Sequence, residues 1–239
     1  MKTSGICVSS FTKTYGEKEA CSSVDFTAAF SEITGILGPN GAGKSTLIKA
    51  IAAFHYPTSG SVQVCGQTDA AKIRKITGYS PEEVSFKGNL TVYETLLEEC
   101  FLRGIKKGEA DALCRKAAEF TDITDLMNSK AEGLSKGCKK RLSISQAVCF
   151  NPEVLILDEF SEGLDPRQSS LIKDSIKKYA QNSTVLISTH RMEEALHLCT
   201  KIYIMNRGRI VYFGSPQAAL ETTGTKNLEE AFLRLTENE

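Results

Sequence analysis

Gly38-Pro39-Asn40-Gly41-Ala42-Gly43-Lys44-Ser45 fills every position of the pattern G-x-x-x-x-G-K-[ST]. A triphosphate is a dense cluster of anionic oxygens, and a loop can turn its amides onto it only where little bulk intervenes. Glycine permits that backbone path. Outward from the loop, Glu32 to Leu37 reads as a short strand entering the turn. Lys44 to Phe54 reads as a helix with Leu47, Ile48 and Ile51 on one face. Strand, glycine loop, helix is the context the pattern requires. A helix opening at Lys44 adds the positive end of its dipole. Lys44 is expected to reach the β- and γ-phosphates, the Ser45 hydroxyl to ligate Mg²⁺, and Thr46 to complete the cradle.

A second signal lies far along the chain. Val154-Leu155-Ile156-Leu157-Asp158-Glu159 is an apolar run ending in two carboxylates. In a parallel sheet the ligand crevice lies at the carboxyl ends of the strands. Asp158 is therefore expected beside the Mg²⁺, and Glu159 near the γ-phosphate, where it can orient or deprotonate the attacking water. An apolar strand ending in charge is common, so this motif draws its weight from the cradle.

The surrounding chain supplies a scaffold. Val24 to Ala28 and Ser61 to Cys65 alternate as half-exposed strands do. From Thr91 to about Lys130 the apolar residues Val92, Leu96, Leu97, Ala112, Leu113, Ala117 and Phe120 recur at helical spacing, with a break at Gly104 to Gly108. Val154 to Leu157 and Thr184 to Ser188 have the uniformly apolar character of strands buried on both faces. Asp165-Pro166 starts a helix over about Arg167 to Ala180. Asn206-Arg207-Gly208 joins Lys201 to Met205 and Arg209 to Phe213 as a hairpin.

Composition excludes several classes. The chain of 239 residues is 41% apolar and 24% charged, with 29 basic and 29 acidic residues. That balance gives no overall field to hold nucleic acid or an anionic bilayer. The apolar runs are too short to span a membrane, and Met1 to Ser10 has no apolar core of a secretory signal. Eight cysteines show no zinc or redox spacing, and several sit in apolar stretches such as Ala147-Val148-Cys149-Phe150. They are expected to be buried thiols in a reducing compartment.

Leu134-Ser135-Lys136-Gly137-Cys138 precedes a helix read at Lys139 to Phe150, then Asn151-Pro152-Glu153 and the acidic strand. This series resembles the signature motif of ATP-binding cassette (ABC) proteins, usually Leu-Ser-Gly-Gly-Gln. The family's other motifs fall in order. Tyr15 matches the aromatic residue that stacks on adenine, and Gly78-Tyr79-Ser80-Pro81-Glu82 matches the Q-loop with Glu82 in place of glutamine. Ser161-Glu162-Gly163-Leu164-Asp165 matches the D-loop, and His190 the switch histidine. The resemblance runs from near residue 5 to about residue 215.

It implies an α/β fold: a P-loop NTPase (RecA-like) core with an antiparallel β subdomain and an inserted α-helical subdomain at about 88–135. Residues 1–239 would form one nucleotide-binding domain with a short tail at 214–239. The implied activity is hydrolysis of ATP with Mg²⁺, in which Lys44, Glu159 and His190 are catalytic. Ser45, Glu82 and Asp158 would hold the metal, and Tyr15, Ser135, Gly137 and Asp165 would join the nucleotide contacts. In the family two subunits pair head to tail, so Ser135 and Gly137 would cap the γ-phosphate held by the partner's Lys44. The resemblance further implies a second ATPase subunit, identical or not, and a transmembrane permease docking near Glu82 to Asn89 on the cytoplasmic face. Glu82 is familiar in a branch serving compact export permeases.

Two other readings compete. Cassette ATPases that act on nucleic acid or ribosomes usually carry two cassettes, a coiled-coil insertion or a basic arm, and this chain has one cassette, no heptads and zero net charge. A switch GTPase or small-molecule kinase has no use for the signature helix, and no Asn-Lys-x-Asp guanine-reading sequence is present.

Overall fold

The short apolar runs form parallel strands buried on both faces, and their alternation divides the protein into two cores. A computed structural model describes residues 5–86 and 88–237. Residues 1–4, 87 and 238–239 are outside it, and with them the extreme ends of the expected domain, part of the Met1 to Ser10 stretch and Lys87 of the expected docking groove.

In chain order the elements are β1 (Ile6–Tyr15), β2 (Lys18–Ala28), β3 (Ile33–Leu37), α1 (Lys44–Ile51), β4 (Ser59–Val64), α2 (Ala70–Ile76), β5 (Thr77–Ser80), α3 (Val92–Leu102), α4 (Lys107–Phe120), α5 (Lys136–Val148), β6 (Val154–Asp158), α6 (Pro166–Ala180), β7 (Thr184–Ser188), α7 (Met192–Leu198), β8 (Lys201–Asn206), β9 (Arg209–Gly214), α8 (Pro216–Thr223) and α9 (Leu228–Thr236). The main sheet has the order β5-β6-β7-β3-β8-β9, and a second antiparallel sheet has the order β2-β1-β4. All pairs from β5 to β8 are parallel, and β9 closes the edge antiparallel to β8. The expected α/β core with an antiparallel sheet and an inserted helical segment is the observed architecture.

Successive strand residues point to opposite faces. Leu155, Leu157, Val185, Ile187, Ile202 and Ile204 therefore pack on the side of α3 to α7. Ile156, Leu186, Ile36, Tyr203 and Met205 pack on the other side, against Leu47, Ile48 and Ile51 of α1 and Phe11 and Phe26 of the small sheet. Burying each such side chain contributes roughly 1.5–3 kcal/mol.

Several boundaries differ from the sequence reading. α1 stops at Ile51 rather than Phe54, because the chain turns at Ala53 (φ 59°) and Arg74 donates to the Ala53 carbonyl at 2.8 Å. α5 starts at Lys136, three residues before the expected Lys139, because the Ser135 hydroxyl accepts from the Cys138 amide at 3.2 Å and caps the helix. β1 had no clear signal. Its register shifts at Val8, Phe11 and Lys13, with Ser10 at φ 47°, erase the simple alternation.

Candidate active site

The glycine loop leaves β3 and enters α1 through two left-handed residues, Gly41 (φ 83°) and Gly43 (φ 104°). A Cβ on Gly43 would lie 2.6 Å from the Ala20 carbonyl oxygen, so glycine is needed for space as well as for conformation. No side chain caps α1, and its first amides stay available to an anion. The loop is braced from outside. Gly208, in the β8–β9 turn, donates its amide to the Ala42 carbonyl at 2.9 Å and accepts from the Ser22 amide at 2.9 Å. Lys44 is 8% exposed, and its ammonium donates to the carbonyls of Gly38 (2.7 Å) and Pro39 (3.1 Å). Burial pulls its pKa below the ordinary lysine value, opposed by the charges of Glu159, Asp158 and Glu82.

The acids stand at the ends of two adjacent strands. Asp158 closes β6 opposite Ser188 of β7 and accepts a short hydrogen bond from the Ser188 hydroxyl. Glu159 follows in a left-handed conformation (φ 47°), held there by its amide bond to the Ser188 carbonyl at 3.1 Å. A non-glycine residue in that region costs roughly 1–3 kcal/mol, and here the turn aims the carboxylate out of the sheet toward the loop. Glu159 Oε2 lies 2.9 Å from Nδ1 of His190, whose own side chain is largely exposed. Burial pushes the Glu159 pKa up, while its bond to His190 and the charges of His190 and Lys44 draw it back. A carboxylate with a raised proton affinity, oriented by an imidazole, has the character of a general base.

These parts share one open cavity of about 1020 Å³, lined by Tyr15, by Gly38 through Thr46, and by Glu82, Asp158, Glu159 and His190. The Tyr15 ring is half-exposed at the end of β1, edge-on to His55 with centroids 6.0 Å apart. Among the described residues no cluster of three His, Cys, Asp or Glu side chains is placed to hold a metal. The oxygen donors that line the cavity, Ser45, Glu82 and Asp158, are of the kind Mg²⁺ takes beside phosphate oxygens and water.

Three expected site residues do not line this cavity: Ser135, Gly137 and Asp165. Ser135 is exposed at the start of α5. Gly137 is buried, and a Cβ there would lie 2.6 Å from the Gly163 carbonyl oxygen, so its smallness lets α5 pack on the Glu162–Gly163 turn. Asp165 caps α6, its Oδ1 accepting from the Gln168 amide at 2.8 Å. Lys136 bonds Glu162 at 2.6 Å across the same contact.

Sequence reading missed Lys18, Glu19 and Arg207, which also line the cavity. They sit at turns whose partners are distant in sequence, and only the Asn206-Arg207-Gly208 turn signal marks one of them.

A family model described as "ABC transporter" matches residues 21–162. The chain is 34% identical over 214 residues to "Nod factor export ATP-binding protein I" of Burkholderia lata, covering 88% of this chain and 70% of that protein. It is 33% identical over 207 residues to "Linearmycin resistance ATP-binding protein LnrL" of Bacillus subtilis, covering 85% and 67%. A solved structure, "Structure of ATP binding subunit of ABC transporter", superposes with a TM-score of 0.89 at 25% identity, covering 96% of this chain and 98% of that one.

Proposed function

The chain belongs to the ABC transporter family and is one of its ATP-binding, ATP-hydrolysing subunits, and from that premise we propose that it drives an exporter as one half of a head-to-tail pair. Its partners are a second ATPase subunit, identical or not, and a separate transmembrane permease that holds it at the cytoplasmic face. The observation that carries the pairing is the position of Ser135 and Gly137. α5 begins outside the chain's own phosphate cavity, with Ser135 facing solvent, so a nucleotide these residues contact is one held by another subunit. Export is supported by the relative named for Nod factor export and by Glu82 in the Q-loop position. Residues 1–239 act as one cassette, with a helical subdomain at about 88–135 and a tail at 214–239. Among the described residues no helix is long and apolar enough to cross a membrane, in keeping with a separate permease.

The side chains divide the work. The free amides of α1 and the loop bind the phosphates, and Lys44 exchanges the Gly38 and Pro39 carbonyls for phosphate oxygens. Tyr15 offers its half-exposed ring to adenine. Ser45, Asp158 and Glu82 would hold Mg²⁺, which neutralises charge on the phosphates when bound. Glu159 accepts the proton of the attacking water, and His190 fixes its carboxylate. Ser135 can serve in two ways, since its oxygen accepts from the Cys138 amide while its hydroxyl hydrogen can turn from the Cys138 thiol to a phosphate across the interface. Asp165, at the start of α6 beside the same surface, helps to seal it.

Purification of tagged chain from detergent-solubilised membranes tests the assignment. A co-purifying multi-spanning membrane protein that raises ATPase turnover is the expected result. Recovery with nucleic acid or ribosomes in a salt-sensitive manner, and with no membrane protein, would replace transport by the rival reading.

A further inference from the structure

Lys140 lies in the second turn of α5, and a basic run such as Lys139-Lys140-Arg141 would ordinarily lie on a solvated face. Lys140 is instead 3% exposed. Its ammonium donates to three main-chain carbonyls, those of Pro81 (2.7 Å), Glu82 (3.4 Å) and Asp158 (2.6 Å). An ammonium has three donors, so the buried cation is fully used, and a cation withdrawn from water requires that. Among the described residues no side-chain carboxylate bonds it. The charges of Asp158, Glu162, Glu159 and Glu82 act on it through space, against the burial that lowers its pKa.

The place of this clamp is informative. β5 is the edge strand, paired only with β6, and the pairing ends at Ser80↔Leu157. The next residue, Pro81, has no N–H and cannot extend the ladder. Beyond that point the chain carrying Glu82 would part from the strand end carrying Asp158. Lys140 replaces the missing ladder bonds with one side chain that holds both. α5 is pressed onto β5 for this purpose. Ser143, one turn from Lys140, bonds Ser80 through their hydroxyls at 2.8 Å. A Cβ on Gly78 would sit 1.9 Å from the Ala147 carbonyl oxygen.

We infer that Lys140 is a positioning residue for hydrolysis: it fixes the Glu82 loop against the Asp158 end of β6, so that both acids meet the phosphates in one geometry. The inference rests on the nucleotide reading above. It gives α5 two duties at once. Its capping residue, Ser135, faces a nucleotide held by the other subunit, and its second turn sets the acids that attend the nucleotide of its own. A shift of α5 on closing the pair is thereby transmitted to the acids of the same chain.

Wild type, Lys140→Arg, Lys140→Gln and Lys140→Met are compared in four measurements. These are binding of a fluorescent ATP analogue in EDTA, the Mg²⁺ dependence of that binding, ATPase kcat and KM, and hydrogen exchange over residues 81–86. Failure of wild type to bind or hydrolyse ATP would strike the nucleotide reading itself, independently of the variants. With wild type active, the Gln and Met variants are expected to bind the analogue in EDTA within about twofold of wild type. They are expected to lose about tenfold or more in kcat with KM changed by less than about threefold, and to need about fivefold more Mg²⁺ for half-saturation. Exchange should rise at 81–86 and not along α5 or β6, and Lys140→Arg, which keeps charge and donors, should recover most of kcat. Wild-type kcat and Mg²⁺ dependence in folded Lys140→Gln overturns the inference. Where Lys140→Met does not fold, Lys140→Gln decides. Unfolding of both, or faster exchange spread evenly through α5 and β6, makes Lys140 a core staple and equally overturns it.

Discussion

Two helices of this protein begin beside candidate phosphate positions, and they begin differently. α1 follows a left-handed glycine and has no side-chain cap. α5 follows Ser135, which caps it with its own hydroxyl oxygen. α1 is also enclosed: the β8–β9 turn, Lys44, Asp158, Glu159 and His190 converge on its first turn within one chain. The start of α5 packs against its own D-loop, through Gly137 against Gly163 and Lys136 with Glu162. A helix end left uncapped and surrounded by catalytic groups is a finished site awaiting a ligand. In the pairing proposed above, the end of α5 that caps itself and faces outward is half of a site, complete only against another subunit.

The largest effect should come from the enclosed side. Glu159→Gln removes the proton acceptor and keeps the carbonyl oxygen that can bond His190, so turnover should fall by about 10²–10⁴-fold while ATP binding persists. Steady-state phosphate release together with filter binding reads both. Equal loss of binding would take Glu159 out of its assigned role. Next is Lys44→Ala, which deletes a buried donor to the phosphates and should cost about 2.7–4 kcal/mol of transition-state stabilisation. A loss below about tenfold in kcat/KM would show that the loop amides suffice alone.

The outward side yields to a mixing experiment. Ser135→Arg and Lys44→Ala chains should each be inactive. Combined, they give one composite site carrying both lesions and one intact, so ATPase activity measurable in the mixture sharpens the contrast between the two helix ends. An inactive mixture argues against shared sites. Cys138 offers a smaller, local reading. Burial pushes its thiol up, yet bonds with Ser135 and Arg141 outweigh this and hold its pKa below the ordinary value. The thiolate should therefore react with an alkylating agent at lower pH than a free cysteine, whose value is about 8.5. ATP added to Glu159→Gln protein should slow that alkylation about tenfold by closing the second surface, whereas an unchanged rate would leave the start of α5 open to solvent.

The smallest effect concerns stability without nucleotide or Mg²⁺. The Glu159 pKa is raised in the folded state, so the native protein holds the Glu159 proton more tightly than the unfolded chain. Stability from this group is then full below the unfolded value and lost as pH rises through the folded one. Glu159→Gln should accordingly raise Tm by a few degrees at pH 7, with the gain vanishing near pH 4 in thermal scans. A gain independent of pH would trace to packing instead.

What the sequence disclosed about the two sides follows from distance along the chain. The cradle was legible because Gly38 to Ser45 is contiguous and its function dictates residue types. Asp158 and Glu159 were legible because the ends of buried parallel strands converge by topology. The bracing of the loop by Gly208 and the cavity-lining position of Arg207 were not, since a hairpin signal says nothing of what its tip touches. The buried place of Lys140 was not legible either, for a related reason. Its bonds run to carbonyls, which carry no sequence signature, and a lysine flanked by Lys139 and Arg141 looks solvated. Ser135 was placed in the right motif, but its capping role moved the start of α5 by three residues.

The account stands on the start of α5 meeting the cradle of a second subunit. Paired cysteines at Ser135 and Gly41, placed in a Glu159→Gln chain lacking its eight native cysteines, test that most directly by disulfide formation. With ATP and Mg²⁺ the account predicts rapid, nearly complete crosslinking into a covalent dimer, and little without nucleotide. A chain that binds ATP yet stays monomeric and uncrosslinked under those conditions would contradict it.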